Sequence, residues 1–488
     1  TDDQRTNTLS CYNSNCPITT PNIDKLANEG VRFNKAFVTT PICAVSRASI
    51  ISGRYASSTG VHYFNTPLPD TIFQKSYPLL MKQAGYFTGM LGKYGVGVTP
   101  MVKESFDVFD AQQGQGPAFR EYQGKKMHDT EWLTVKTKEF LDRVPKDKPF
   151  CLQVNYKEPH NSSSVAPEDD KLLDNFTFKR VALDNEKEFE KLPERVKLGH
   201  SHAYEYFQLM GTPEILNDYM RSYYEKIKGV DKSVGEILQN LEDTGLANNT
   251  VIIFLSDHGT HFGEKQLAGK WTPYDESLGI PFIVYDPRNK TNKRRVSDKL
   301  VLNIDVAPSL LDLAGYKNAT GMDGESIVPL LDDDKVEWRT RFAYEHYCAP
   351  SGIPYYLPRH EGMRTENDKY VYWVDFEEKD EEYFDLIKDP QETNNLIANP
   401  DYTSQILELK SQFFQWRKDN PIDYNYYPND KGFEALATQV NWKKLKKQRL
   451  GIYTKIEAEI KRLGITWQLA EENWEVRYEI CKKVKFWY

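Results

Sequence analysis

The feature that most limits what this chain can fold into is a repeated hand-over from helical to extended apolar spacing. Ile227, Val230, Val234, Ile237, Leu238 and Leu241 recur at helical intervals, and Gly245 is placed to stop that helix. Val251-Ile252-Ile253-Phe254-Leu255 then follows as an unbroken apolar strand. A strand apolar on both faces belongs in a sheet covered on both sides. The same hand-over occurs from Tyr77–Gly85 into Tyr86–Met90 and from Trp132–Val144 into Phe150–Tyr156, and Ile280–Tyr285 is another apolar strand. This order predicts an α/β fold: a doubly wound, mostly parallel sheet flanked by helices.

After about Leu331 the texture changes. Asp332-Asp333-Asp334 is a polar break, and Phe342–Tyr344, Tyr370–Trp373 and Tyr383-Phe384 read as short antiparallel strands. A helix carrying Ile406, Leu409, Phe413 and Trp416 is expected to pack on them. The expected division is therefore a catalytic domain over 1–335 and a smaller α+β subdomain over 336–488 that contributes to a substrate pocket. From Tyr424 onward the chain is aromatic and lysine-rich, with periodicity only over Leu450–Leu463.

Composition excludes several classes. In 488 residues, 71 acidic against 63 basic side chains give a net charge of −8, the wrong sign for binding a nucleic-acid backbone. No run approaches the ~20 apolar residues of a membrane helix, and the opening residues Thr1 to Arg5 lack the apolar run of a signal peptide. Six cysteines (Cys11, Cys16, Cys43, Cys151, Cys348 and Cys481) are too sparse for a disulfide scaffold. Asn-x-Ser/Thr triplets at Asn161, Asn175, Asn248, Asn289 and Asn318 matter only in a eukaryotic secretory pathway.

In an open α/β sheet, ligands bind beyond the carboxyl ends of the strands. After Leu255 comes Ser256-Asp257-His258-Gly259-Thr260-His261, after Met90-Leu91 comes Gly92-Lys93, and after Tyr156 comes Lys157-Glu158-Pro159-His160. Three strands thus deliver carboxylate, imidazole and ammonium groups to one rim. The chain also opens with adjacent acids, Asp2-Asp3, which repel unless a cation neutralises them. With Asp257 they supply hard oxygen ligands suited to Ca²⁺ or Mg²⁺. Cys43 stands at the start of an expected helix with Arg47 one turn on, an arrangement that favours a tetrahedral oxyanion.

These residues resemble the formylglycine-dependent (type I) sulfatases of the alkaline phosphatase superfamily. The resemblance runs through Asp2–Arg5, Thr20–Ala27, Cys43–Gly53, Gly92-Lys93, Pro159-His160, Ser256–Gly259 and Gly269–Ser277, then Tyr383–Leu386 and Asp389–Leu396. It implies an alkaline-phosphatase-like fold and a sulfuric ester hydrolase acting on a sulfated carbohydrate, polysaccharide or oligosaccharide. Cys43 would be converted to formylglycine by a maturase and would supply the nucleophile. Asp2, Asp3, Asp257 and His258, with residue 43, would hold Ca²⁺ (Mg²⁺ being the alternative). Arg47 would brace residue 43, Lys93 and Lys270 would neutralise sulfate oxygens, and His160 would protonate the leaving alcohol. His261, His346 and Arg364, with Tyr347 and His360 nearby, are the candidate sugar-binding residues. The expected location is periplasmic or secreted. Because members carry a strand just before the paired aspartates, the sequence is expected to begin after its first strand.

Two positions depart from the family pattern. Val45 stands where Pro or Ala is usual two residues after the cysteine, and Gly95 replaces the histidine that assists sulfate release. His62 or His261 is a candidate substitute, and Gly95→His is expected to speed release if the ring fits. The alternative readings are a phosphodiesterase or phosphonate monoester hydrolase of the same superfamily, and an inactive glycan-binding homologue.

Overall fold

The computed structural model describes residues 1–289, 295–316, 320–347, 358–374, 381–422, 455, 458–459 and 461–463. Cys348, Cys481, the triplet at Asn318 and the aromatic tail from Tyr424 lie outside the described residues, as does most of the Leu450–Leu463 repeat.

The elements that place the site, in chain order, begin with α1 (Pro21–Glu29), β1 (Val31–Phe33), α2 (Cys43–Ser52), α3 (Tyr77–Gln83), β2 (Phe87–Lys93) and β3 (Val108–Gln112). They continue with α4 (Asp129–Arg143), β4 (Phe150–Asn155), α5 (Pro213–Asp243), β5 (Ile252–Leu255), β6 (Phe282–Tyr285), β7 (Arg295–Ser297) and α6 (Val306–Leu313). Local chemistry sets their limits. Helix α5 starts where the Thr212 hydroxyl accepts from the Ile215 N–H and Pro213 occupies the first turn. It stops at Asp243, just before Gly245 adopts φ +74°. Helix α4 is capped by His128, whose ring accepts from the Thr130 N–H, and it buries Trp132, Leu133 and Phe140.

The central sheet is built in two halves. In one, β2 lies between β3 and β4 with every pairing parallel, Met90 opposite both Phe109 and Gln153. The other runs in the order β7-β1-β6-β5. There β6 is antiparallel to both β1 and β5, which the apolar run Ile280–Tyr285 did not reveal, since a buried strand reads the same in either direction. Thr1 and Asp2 link the carboxyl ends of β4 and β5, the Thr1 nitrogen donating to the Leu255 carbonyl (3.0 Å). Asp2 forms a parallel bridge to Pro159, the Thr1 carbonyl accepts from the Asp257 N–H (3.1 Å), and the Asp2 N–H donates to the Glu158 carbonyl (3.2 Å).

Farther on, β8 (Arg341–His346), β9 (His360–Thr365), β10 (Asp368–Trp373) and β11 (Glu381–Asp385) form a four-stranded antiparallel sheet. Helix α7 (Thr403–Asp419) lays the buried Ile406, Leu409 and Phe413 on it. That sheet shares one apolar core with the catalytic half: Phe33, Phe282, Phe342, Trp373 and Phe413 belong to a single buried cluster. No helix among the described residues is long and apolar enough to cross a membrane.

Candidate active site

The carboxyl ends of β2, β4 and β5 meet the chain's first residues and the amino end of α2 at one point. Cys43 is the first residue of α2 and is buried. Its Sγ lies 3.0 Å from Lys270 Nζ, 3.2 Å from His258 Nε2 and 3.9 Å from Asp3 Oδ1. Lys270 Nζ also donates to Asp3 Oδ1 (2.6 Å), and Lys93 pairs with Asp2. Arg47, one turn along α2, ties the strand ends together: Nε donates to Asp257 Oδ2 (2.9 Å) and a terminal nitrogen to the Lys93 carbonyl (2.7 Å).

Two imidazoles are oriented by groups the sequence did not single out. His258 Nδ1 faces the Gly259 carbonyl at 2.9 Å, and a carbonyl can only accept, so the proton sits on Nδ1 and the Nε2 lone pair points at Cys43 and Asp3. His160 is the reverse. Its Nδ1 accepts from the Ser162 N–H (3.2 Å) and contacts the Ser162 hydroxyl, which places the proton on Nε2, 3.7 Å from Asp3 Oδ2. One ring thus presents an acceptor to the site and the other a donor. Nothing in residue type or spacing distinguishes them, because both orienting groups belong to adjacent loop residues.

The electrostatics follow from burial and opposed charges. Burial alone pushes the Asp2 carboxyl up, but Lys93, His160, Arg47 and Lys270 together hold it well below the usual carboxylate range. At Asp3, burial outweighs Lys270 and His258, and the carboxyl is raised. Burial raises the Cys43 thiol, so it is neutral at physiological pH. Burial, then Lys270, depresses His160 far below the ordinary imidazole value. A substrate anion beside His160 would raise it again, because an opposite charge favours the imidazolium.

The donor set fits a hard divalent cation. Asp2, Cys43, Asp257 and His258 each bring one ligand atom within 4.8 Å of the others, and so do Asp2, Asp3, Cys43 and His160. Asp2 Oδ1 is buried and accepts no hydrogen bond, an unmet acceptor on a residue of both groups. Three carboxylates (Asp2, Asp3, Asp257) face three fixed cations (Arg47, Lys93, Lys270). The protein's own charges therefore balance, and a bound dication would leave the positive excess that draws a sulfate ester monoanion.

Other expected site residues are placed elsewhere. His261 is fully buried, with Nε2 on the Thr272 hydroxyl (2.8 Å) and Nδ1 towards Glu264 (4.0 Å), and burial lowers it to about 4. Arg364 grips both Asp275 oxygens (2.8–3.1 Å) and lies over the Phe37 ring, so its guanidinium is spent inside the protein. His346 and His360 stack face to face at 5.0 Å, both fully buried. Tyr347 bonds Glu345 and Glu361, and His62 Nδ1 meets the Gly60 carbonyl. None of these touches Cys43 in the contacts described. A pair the sequence reading missed stands next to Lys270: His200 stacks on Trp271 with centroids 4.7 Å apart. Trp271 falls within the conspicuous Gly269–Ser277 block, but nothing in the sequence pointed to His200.

Comparison with known proteins gives the following. Residues 1–316 match the Sulfatase family model, and residues 263–419 match the model for the C-terminal region of N-sulphoglucosamine sulphohydrolase. An N-acetylglucosamine-6-O-sulfatase of Bacteroides thetaiotaomicron is 28% identical, over 87% of this chain and 86% of its own. The human N-sulphoglucosamine sulphohydrolase is 26% identical, over 88% and 91%. A solved structure in complex with its substrate D-glucosamine-2-N,6-O-disulfate superposes with TM-score 0.74 at 26% identity, covering 86% of this chain and 96% of that one.

Proposed function

We propose a carbohydrate sulfatase directed at sulfated glucosamine: the chain belongs to the sulfatase family, a metal-dependent, formylglycine-type group of sulfuric ester hydrolases. The observation that carries the reading is the seat of Cys43, at a helix start, flanked by Lys270 and His258 and backed by Asp2, Asp3 and Asp257. Converted to formylglycine, residue 43 supplies a hydroxyl nucleophile in its hydrated form. Asp2, Asp3, Asp257 and His258 would hold a divalent cation, for which calcium suits the oxygen-rich donors, and it would supply Lewis acidity beside residue 43.

The remaining work falls to side chains already in position. Lys93 and Lys270 neutralise charge on the sulfate oxygens as the ester bond lengthens. Arg47 is a positioning residue that fixes Asp257 relative to the end of β2. His160 presents its Nε2 proton to the bridging oxygen, which a poorly departing sugar alkoxide requires. The substrate class is supported by the two relatives named for glucosamine sulfates and by the disulfated glucosamine in the solved relative. A periplasmic or secreted site of action fits such a polymer-derived substrate.

The test is co-expression with a formylglycine-generating maturase, mass measurement of the peptide containing residue 43, and sulfate release from 6-O- and N-sulfated glucosamine. Conversion with release, abolished by Cys43→Ala, is expected. Full conversion without release from any amino-sugar sulfate would overturn the substrate assignment.

A further inference from the structure

Three strands of the antiparallel sheet send charged side chains into the catalytic half at one place. Arg364 on β9 and Lys369 on β10 are register partners, and both are buried. Two like charges side by side in a dry sheet repel, so this hairpin needs anions brought to it. One is Glu392, beyond β11 and 2.5 Å from Lys369 Nζ. The other, Asp275, comes from the opposite half of the molecule: Lys369 Nζ and an Arg364 terminal nitrogen donate to its carboxylate (2.5 and 2.8 Å). The backbone beside it is held too. The Pro273 carbonyl accepts from Lys369 Nζ (2.9 Å), the Asp275 N–H donates to Glu392 (2.7 Å), and the Tyr274 hydroxyl donates to Glu382 on β11 (3.3 Å). Pro273, Tyr274 and Asp275 are thus each gripped from the second sheet.

What that grip steadies is Lys270. Only Trp271 and Thr272 separate it from Pro273, and the link has little slack. The Thr272 hydroxyl meets His261 Nε2 at 2.8 Å, and Trp271 is buried with its ring stacked on His200. Gly269 has φ +68° and Trp271 φ +75°, so the lysine stands between two left-handed residues, one of them carrying a bulky ring that disfavours that conformation. Backbone of this kind persists only where its surroundings hold it. The Lys270 side chain is itself a flexible four-carbon stem, and Asp3, with which it pairs, also belongs to the donor cluster suited to a cation. We propose that Arg364, Lys369 and Glu392 are positioning residues for the Lys270 ammonium, so that the second subdomain sets the group that neutralises sulfate charge. The proposal rests on the reading of Lys270 as that group. It gives Arg364 a part in the reaction without the sugar contact expected of it from sequence.

The test uses enzyme converted at residue 43 and the double variant Lys369→Met/Glu392→Gln, which removes a buried cation and a buried anion together and leaves Arg364 paired with Asp275. Hydrogen exchange is read over 267–274, with Phe282–Tyr285 as internal control, and kcat/KM is measured on p-nitrophenyl sulfate and on 6-O-sulfated glucosamine. Exchange over 267–274 should speed up by about tenfold or more with the control unchanged. The value of kcat/KM should fall by about tenfold or more on both substrates alike, because the sulfate group is common to them. In a Lys270→Ala background the same two changes should lower kcat/KM by no more than about twofold, since effects exerted through one group do not add. Unchanged exchange, or equal acceleration in the control, would overturn the proposal. Equal losses in the Lys270 and Lys270→Ala backgrounds would overturn it too, by making the network a general support of the fold. Lys270→Ala with parental turnover is a different failure: it would overturn the sulfate-neutralising role and the proposal with it. Should the double variant not fold, Arg364→Lys, which keeps the charge but loses the forked grip on Asp275, should move the same readings in the same direction by about threefold or more.

Discussion

Gly95 is what lets Arg47 reach its partners. A Cβ on Gly95 would lie 2.6 Å from Arg47 Cδ, and the residue has φ +79°, a conformation that side chains avoid. The departure from the family pattern at this position is thus built into the packing: the guanidinium that joins Asp257 to the end of β2 occupies the space a side chain at 95 would need.

It follows that Gly95→His should damage the enzyme rather than repair it, because the fit on which the expectation from sequence depended is not met. Left-handed strain costs roughly 1–2 kcal/mol and overpacking about 1–3 kcal/mol, and Arg47 must give up its bonds. The variant should melt lower and turn over more slowly than its parent. In the parent, with neither His62 nor His261 against Cys43, sulfate release should limit turnover, so a burst of alcohol equal to the converted enzyme should precede the steady rate. Rapid-quench assays and melting curves check both; a faster, equally stable Gly95→His protein would refute the steric account.

The orientation of His160 makes a leaving-group prediction. His160→Ala should lower kcat/KM for sugar sulfates by about 10²–10⁴, the usual worth of a positioned general acid. For an activated aryl sulfate, whose phenolate leaves without a proton, the loss should be far smaller. Parallel assays on both substrates decide it, and equal losses would remove His160 from the acid role.

Much of this site was legible because open α/β sheets deliver functional groups just after their strands, which singled out Lys93, His160 and Asp257 from apolar runs alone. Where the structure places an expected residue elsewhere, its side-chain partners decide it, and residue type does not name them. Arg364 looks like a free anion-binding group until Asp275, 89 residues away, is brought against it. His261 sits three residues beyond His258, yet its ring turns to Thr272 and Glu264. Strand β9 escaped notice because His360-Glu361-Gly362-Met363-Arg364-Thr365 carries polar side chains that are buried only by pairing with both neighbours.

Glu382 predicts a pH dependence of stability. It is buried, accepts from Trp373 Nε1 (3.1 Å) and the Tyr274 hydroxyl (3.3 Å), and burial raises it from 4.5 to about 7. Between those values the native carboxyl keeps a proton that the unfolded chain has released, so this group's contribution to stability falls as pH rises through the window. Glu382→Gln keeps an acceptor for both bonds and carries no charge. The variant should be more stable than the parent at pH 8, by at most about 3 kcal/mol, and little different at pH 4.5. Denaturant melts at both pH values check this, and an identical change at the two would show that Glu382 ionises at no cost.

Asp257 joins cation binding to the architecture of the rim. It accepts from Arg47 and from the Asp3 N–H (3.1 Å), and its oxygen belongs to the ligand cluster with Asp2, Cys43 and His258. Asp257→Ala should abolish activity and cost about 3–5 kcal/mol, because a buried Arg47 loses its main partner. Asp257→Asn separates the two roles, since an amide still accepts from Arg47 but brings no charge to a cation. In the parent, calcium at a hundredfold over its dissociation constant should add about 2.7 kcal/mol of stability, and exhaustive chelation should remove both that increment and the activity. In Asp257→Asn the increment should shrink while the apoprotein stays folded, because Asp2 and Asp3 alone hold the ion weakly. Full activity after chelation, or an equal calcium increment in the Asn variant, would show that the carboxylates at this rim serve only to pair with Arg47, Lys93 and Lys270.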